Sequence, residues 1–267
     1  MPSYKRLLIA SAKGGVGKST TAAGLAYAYA SAGKRVLLLD LDFSGRCLDM
    51  LTGCASAVFD FADVMTGTDV SSAAVSGVGG CGTLSLITAC TSASFRNTAE
   101  AVGLDERTAM RDAVSRILAS GEYDIVIADT GAGISSAENC ADLFDMVLIT
   151  SEQSRTSLRA AEYAAQCISG CGAKSIRLVI CSFDLLAVKR EKRAGIIEMI
   201  DESSLACLGV VPFDKKLQKA QDAGLLPASS SLSMKAYANI AARLEGNEVP
   251  LFWNMKELRR KRNAAFR

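Results

Sequence analysis

A chain of 267 residues with 49% apolar content is long enough to bury a sizeable core, and its formal net charge of +2 excludes a body-wide field for nucleic acid. It contains no histidine, which removes imidazole bases and histidine-ligated zinc and leaves the chemistry to carboxylates, lysines, hydroxyls, thiols and backbone groups. Nine cysteines would allow disulfides, but Cys90, Cys167, Cys181 and Cys207 stand among apolar or small residues and no signal peptide precedes them, so a reduced cytosolic protein is expected. Cys167 and Cys171 have neither redox-pair nor evident metal-site spacing, and no apolar run is long enough to span a bilayer.

The first strand candidate, residues 6–10, leads into Lys13-Gly14-Gly15-Val16-Gly17-Lys18-Ser19-Thr20, and a helical pattern over 19–32 follows. Strand, glycine-rich turn and helix in that order make a phosphate-binding loop. Its glycines let backbone N–H groups turn toward phosphates, Lys18 reaches the outer ones, and the Ser19 hydroxyl is placed to hold magnesium. The helix adds its positive N-terminal end to the same anion site. Where the plain motif has its first glycine this chain has Ala12, and beside it stands a second lysine, Lys13. Two lysines around one turn strengthen an anion cradle, and the first also has the option of pointing out of its own site. Binding and cleavage of a nucleoside triphosphate is the expected chemistry.

The next strand, 35–39, ends on Asp40-Leu41-Asp42. A helical turn over 60–65 and a Gly/Ser/Ala-rich surface connection over 71–83 precede a strand at 84–88, and a helix over 105–120 precedes a strand at 125–128 that ends on Asp129. In a parallel sheet both acidic positions face the phosphate-loop edge. We assign Asp42 to the attacking water and Asp40 to outer-shell magnesium support, and count Asp40, Asp42 and Asp129 together as candidate metal-side carboxylates. A strand-ending Asp taken alone is more often a cap or turn residue; joint placement with Lys18 reverses those odds. Thr130-Gly131-Ala132-Gly133 then forms a permissive loop.

The rhythm continues with strands at 146–149, 177–180 and 208–211 and helices over 156–168, 187–203 and 231–245. Short, continuously apolar strands alternating with helices predict an α/β fold of three layers, a mostly parallel central sheet covered by helices on both faces. Glu152 and Asp214 also stand after later strands, and Asp214 is equally suited to capping the turn after Pro212. No internal repeat is visible.

Residues 251–267 hold six Lys/Arg against one Glu, a net of +5 that leaves −3 for everything before them. At about 100° per residue, Leu251, Phe252, Met255 and Leu258 share one helix face, with Trp253 near its boundary and Lys256, Arg260 and Lys261 around it. Composition leaves three uses open: docking on the protein body, an anionic membrane surface, or nucleic acid.

Taken together, the double-lysine loop, Asp40-Leu41-Asp42 and Asp129 resemble the MinD/ParA family of deviant-phosphate-loop ATPases over nearly all of residues 4–245. The resemblance implies a P-loop ATPase domain over 1–245, with a linker and basic amphipathic segment over 246–267. It implies ATP and Mg2+ as ligands and an ATP-dependent homodimer in which Lys13 reaches phosphates in the partner's site. In its own subunit Lys18 would bind phosphate with Gly14, Gly15, Val16, Gly17 and Thr20, Ser19 would bind magnesium, Asp42 would position the water, and Asp129 would belong to the second switch. Pro212-Phe213-Asp214 resembles the family's adenine-side loop. Within the family the pattern is closest to the septum-site (MinD-like) branch, on Arg46, Leu48-Asp49, Gly53, Phe59-Asp60-Phe61 and Val64. That branch carries a C-terminal membrane-targeting helix, which implies peripheral attachment to the inner face of the cell membrane through Leu251, Phe252, Trp253, Met255 and Leu258, and MinC-like or MinE-like division partners rather than nucleic acid. The run from Asp129 to Ser135 is also close to the flagellar-number regulators, and ParA-like partitioning and FlhG-like regulation are the alternatives. Ser44-Gly45, Cys47 and Ser151-Glu152-Gln153 depart from the septum-site pattern; they leave the phosphate chemistry in place and bear on partner recognition.

Overall fold

Strands that read as unbroken apolar runs must be covered on both faces, and the computed structural model, which describes residues 4–54, 56–190, 193–225 and 230–251, arranges them so. The strands are β1 (Arg6–Ala10), β2 (Val36–Leu41), β3 (Val75–Ser76), β4 (Leu84–Ile87), β5 (Ile125–Thr130), β6 (Met146–Glu152), β7 (Ile176–Phe183) and β8 (Cys207–Pro212). They form one sheet in the order β3-β4-β2-β5-β1-β6-β7-β8, parallel except for the short β3 at the edge. The expected three-layer α/β architecture is therefore the observed one.

The helices are α1 (Lys18–Ser31), α2 (Leu48–Thr52), α3 (Phe61–Thr66), α4 (Val70–Ala73), α5 (Ser92–Ala101), α6 (Glu106–Ala119), α7 (Ser135–Cys140), α8 (Arg155–Gly170), α9 (Leu185–Lys189), α10 (Ile196–Ser203), α11 (Lys215–Asp222) and α12 (Leu232–Leu244). Two apolar layers divide them by strand parity. Leu8, Leu37, Leu39, Leu41, Val126 and Ala128 pack toward α3, α5, α6 and α8, whereas Leu7, Ile9, Val36, Leu38, Ile125 and Ile127 pack toward α1 and α12. The same alternation sends Asp40 and Asp129 toward the α1 layer, which decides what they can reach.

Several local expectations need correction. The helix over 187–203 is two short helices, α9 and α10, and the surface connection over 71–83 contains α4 and the antiparallel β3. Helices α5 and α11 escape the periodicity because they bury little: Phe95 and Ala99 in α5, Leu217 in α11. Strands β2 and β5 run on past their apolar residues, so Asp40, Leu41, Asp129 and Thr130 lie inside the ladder. All nine cysteines are free, and none of the described helices is long and apolar enough to cross a membrane.

Candidate functional site: a phosphate loop between two acidic strand ends

β1 lies between β5 and β6, so the loop that leaves it opens at the middle of the sheet's carboxyl edge. Ser11 bridges Gly133, and the Cβ position at Gly14 is 3.6 Å from Ala132 Cβ, so the phosphate loop lies against the loop after Asp129. Gly15 and Gly17 adopt left-handed backbone angles, φ 76° and 90°. Gly17 also lies over Cys181, whose Sγ and Cβ are 3.4 and 3.3 Å from any added methyl. The first turn of α1 carries neither a side-chain cap nor an acidic residue, so its N–H groups are left to an anion. Lys18 is buried in the mouth of that turn, 7% exposed.

Across the ladder Asp40 is the register partner of Asp129. Asp40 accepts from the N–H of Asp42 at 2.9 Å and of Leu48 at 3.4 Å, and burial pushes its carboxyl up to about 7 despite those bonds. Asp129 is fully buried, and among the described residues neither carboxylate oxygen has a hydrogen-bond partner. Burial raises its pKa well above the ordinary carboxylate range, with Asp40 adding to the rise and Ser19 and Lys18 opposing it. An orphaned buried carboxylate facing a serine hydroxyl and a lysine is a half-built cation site. Among the described residues no group of three or more His, Cys, Asp or Glu is spaced to hold a metal by itself. The donor set thus fits a hard cation that takes one or two carboxylates, a hydroxyl and phosphate oxygens, which is how magnesium is held.

Asp42 is turned elsewhere. Its Oδ1 accepts from the N–H groups of Ser44 at 3.2 Å and Gly45 at 2.7 Å. Methyls at Gly45 and Gly131 would come within 2.4 and 2.8 Å of its carboxylate oxygens. This aspartate is clasped between the two loops that follow β2 and β5, at the edge of a cavity of about 500 Å³ lined by Phe43, Ser92, Arg96 and Ser135. That position suits contact with a water better than a place among the metal ligands.

Lys13 donates through Nζ to Ser157 Oγ on α8 at 3.0 Å, and among the described residues it forms no ion pair. Pro212 ends β8 opposite Phe183. Asp214 is committed to the protein: it caps α11 through Lys216 N–H and accepts from Ser233 N–H and Oγ at 3.2 and 2.9 Å. Burial raises its pKa, and those bonds outweigh burial and hold it below the usual value. The capping alternative for Asp214 thus has direct geometry behind it. Thr20 accepts from Gln221 Nε2 on α11 at 3.0 Å, a partner that a short, polar helix burying only Leu217 gave no signal for. Leu251 packs half-buried against the core; Phe252, Trp253, Met255 and Leu258 lie outside the described residues.

Comparison with known proteins agrees with this geometry. A family model for the CobQ/CobB/MinD/ParA nucleotide binding domain matches residues 7–228. The septum site-determining protein MinD of Helicobacter pylori is 30% identical over 256 residues, covering 90% of each chain. The solved structure of the MinD cell division protein of Aquifex aeolicus superposes with a TM-score of 0.79 at 26% identity, covering 92% of this chain and 99% of that one. A MinC:MinD complex from the same organism matches at the same TM-score and identity, covering 92% and 98%. With the family model matching residues 7–228 and these relatives matching along about nine-tenths of its length, the chain belongs to the MinD/ParA family of P-loop ATPases, on its MinD side.

Proposed function

We propose that the chain is an ATP-hydrolysing dimerisation switch that binds the inner face of the cytoplasmic membrane reversibly and positions cell-division machinery at the septum site. The observation that carries this reading is the placement of Lys13: its ammonium, at the head of a loop built for phosphate, is held by a neutral serine hydroxyl. A neutral hydroxyl is a weaker tether for a cation than a carboxylate or phosphate, so a second phosphate site on another copy would draw Lys13 across.

In this reading Lys18 and the loop N–H groups neutralise the outer phosphates of bound ATP, and Asp42 orients the water. The water oxygen forms a bond to the terminal phosphorus while the bond to the ADP oxygen breaks, giving ADP and phosphate. Mg2+, held by Ser19 with Asp129 and Asp40 behind it, would supply charge neutralisation at the phosphates. Loss of the terminal phosphate removes what Lys13 bridges to, and the dimer loosens. Residues 1–245 form the ATPase and 246–267 the membrane segment; one short basic amphipathic helix binds lipid weakly, and two in a dimer bind far better. The Aquifex MinC:MinD complex supports a MinC-like partner, with a MinE-like activator as its counterpart.

Co-sedimentation with anionic vesicles in ATP, ADP and no nucleotide tests this, using the full chain and a form lacking residues 250–267. ATP-selective sedimentation lost with the tail is expected. Equal sedimentation in every state would reduce the tail to a constitutive anchor, and DNA binding without vesicle recruitment would move the chain to the partitioning branch.

A further inference from the structure

Thr20 follows the cation-binding Ser19 in the uncapped first turn of α1, and the bond from Gln221 Nε2 at 3.0 Å is its hydroxyl's partner among the described residues. A hydroxyl has one proton and two acceptor lone pairs. With a lone pair occupied by an amide donor, the proton must point away from Gln221. Threonine in a helix can give that proton to the carbonyl three or four residues back. No such bond forms here among the described residues, and the carbonyl of Gly17 already accepts from Thr21 N–H at 2.9 Å.

Gln221 is itself held in place by the end of its helix. Past it, the chain turns at Gly224 and meets the turn that ends α2 at Gly53, both at φ 64°. A methyl on Gly53 would lie 2.5 Å from the Gly224 carbonyl oxygen, and one on Gly224 would lie 3.1 Å from that of Met50. Backbone meets backbone there, so the end of α11 is seated against the end of α2, which itself packs on α1.

We propose that Gln221 is a positioning residue for the phosphate site: its amide pins the Thr20 hydroxyl so that the proton is turned toward the phosphates of bound nucleotide. The inference rests on the phosphate-loop reading and adds to it a residue from the far end of the chain. A mere tie between α11 and α1 would affect folding but not the direction of the hydroxyl proton, and the two roles separate in a double-mutant cycle.

Calorimetric titration of ADP with Mg2+ into the full chain, Gln221→Met, Gln221→Glu, Thr20→Val and the two double variants decides between them. Gln221→Met should weaken ADP about 3- to 10-fold, the worth of one oriented hydrogen bond. Gln221→Glu, nearly the same shape but only an acceptor at neutral pH, should weaken it more because it reverses the hydroxyl, and it carries the test if the Met variant does not fold. In the Thr20→Val background, Gln221→Met should change affinity by less than about twofold, and Gln221→Glu by less than in the parent. Unchanged affinity in both single variants, or equal losses with and without the Thr20 hydroxyl, would overturn the proposal. A parent chain that bound no ADP would instead sink the phosphate-loop reading, and this inference with it.

Discussion

Asp40 and Asp129 sit opposite each other in β2 and β5 with little water and few donors, and burial is the largest influence on both. For Asp40 the folded-state pKa is raised to about 7 from 3.8, so between those values the folded chain keeps a proton that the unfolded chain has lost. Stability of the ligand-free protein should fall as pH rises through that window, with the contribution complete below its lower end and gone above its upper end. Thermal unfolding at pH 5.5 and 7.5 checks the sign: the midpoint should be higher at pH 5.5, and Asp40→Asn should lessen the difference. A higher midpoint at pH 7.5 would mean that the carboxyl is already ionised in the fold. At Asp42 the constraint is steric. Because a methyl at Gly131 would come within 2.8 Å of Asp42 Oδ1, Gly131→Ala must displace either the carboxylate or the loop. Steady-state ATPase assays should show turnover reduced about tenfold or more, since small misplacements of a positioning group are expensive in rate; ADP binding should stay near that of the parent.

Between elements, α1 and α12 meet at Gly24 and Tyr237. A methyl on Gly24 would lie 2.3 Å from the Tyr237 ring, and that ring is buried. In an open helix Gly→Ala stabilises by about 1 kcal/mol. Here the overlap decides the sign, and Gly24→Ala should destabilise by about 1–3 kcal/mol in urea unfolding. Gly209 against Ile240 repeats the arrangement between β8 and α12, at 2.2 Å. These glycines serve close packing rather than turns, and nothing in the string Ala22-Ala23-Gly24-Leu25 announces it. The same holds for α5 and α11, whose few buried side chains leave no stripe to read, whereas the runs that became β1, β2, β5 and β6 were legible because burial on both faces leaves little but apolar residues.

At the scale of the molecule, hydrolysis affects location only if two copies exchange a contact through the nucleotide. Lys13→Ala should bind ATP in its own loop and remain monomeric at saturating ATP, where the parent should dimerise; light scattering after size exclusion distinguishes the two. A Lys13→Ala chain that dimerised normally would remove the bridging role and leave Lys13 as a second cation of its own site. Vesicle binding should fail in the same variant, because a single basic amphipathic segment holds lipid weakly.

The sequence alone determined the phosphate loop, because strand, glycine turn, lysine and helix are contiguous and their chemistry is local. It also determined the parallel α/β class, through apolar runs spaced by helices. Only the tertiary structure decided which way the carboxylates turn. Two more residues of extended backbone at β2, Asp40 and Leu41, put Asp40 in register with Asp129 on the α1 side, while Asp42 turns back onto Ser44 and Gly45. It likewise decided that Asp214 spends its oxygens on α11 and Ser233, and that Ser157 and Gln221, 144 and 201 positions from their partners, reach into the phosphate loop. Such contacts are set by the order of strands in the sheet, and spacing along a chain carries no record of that order.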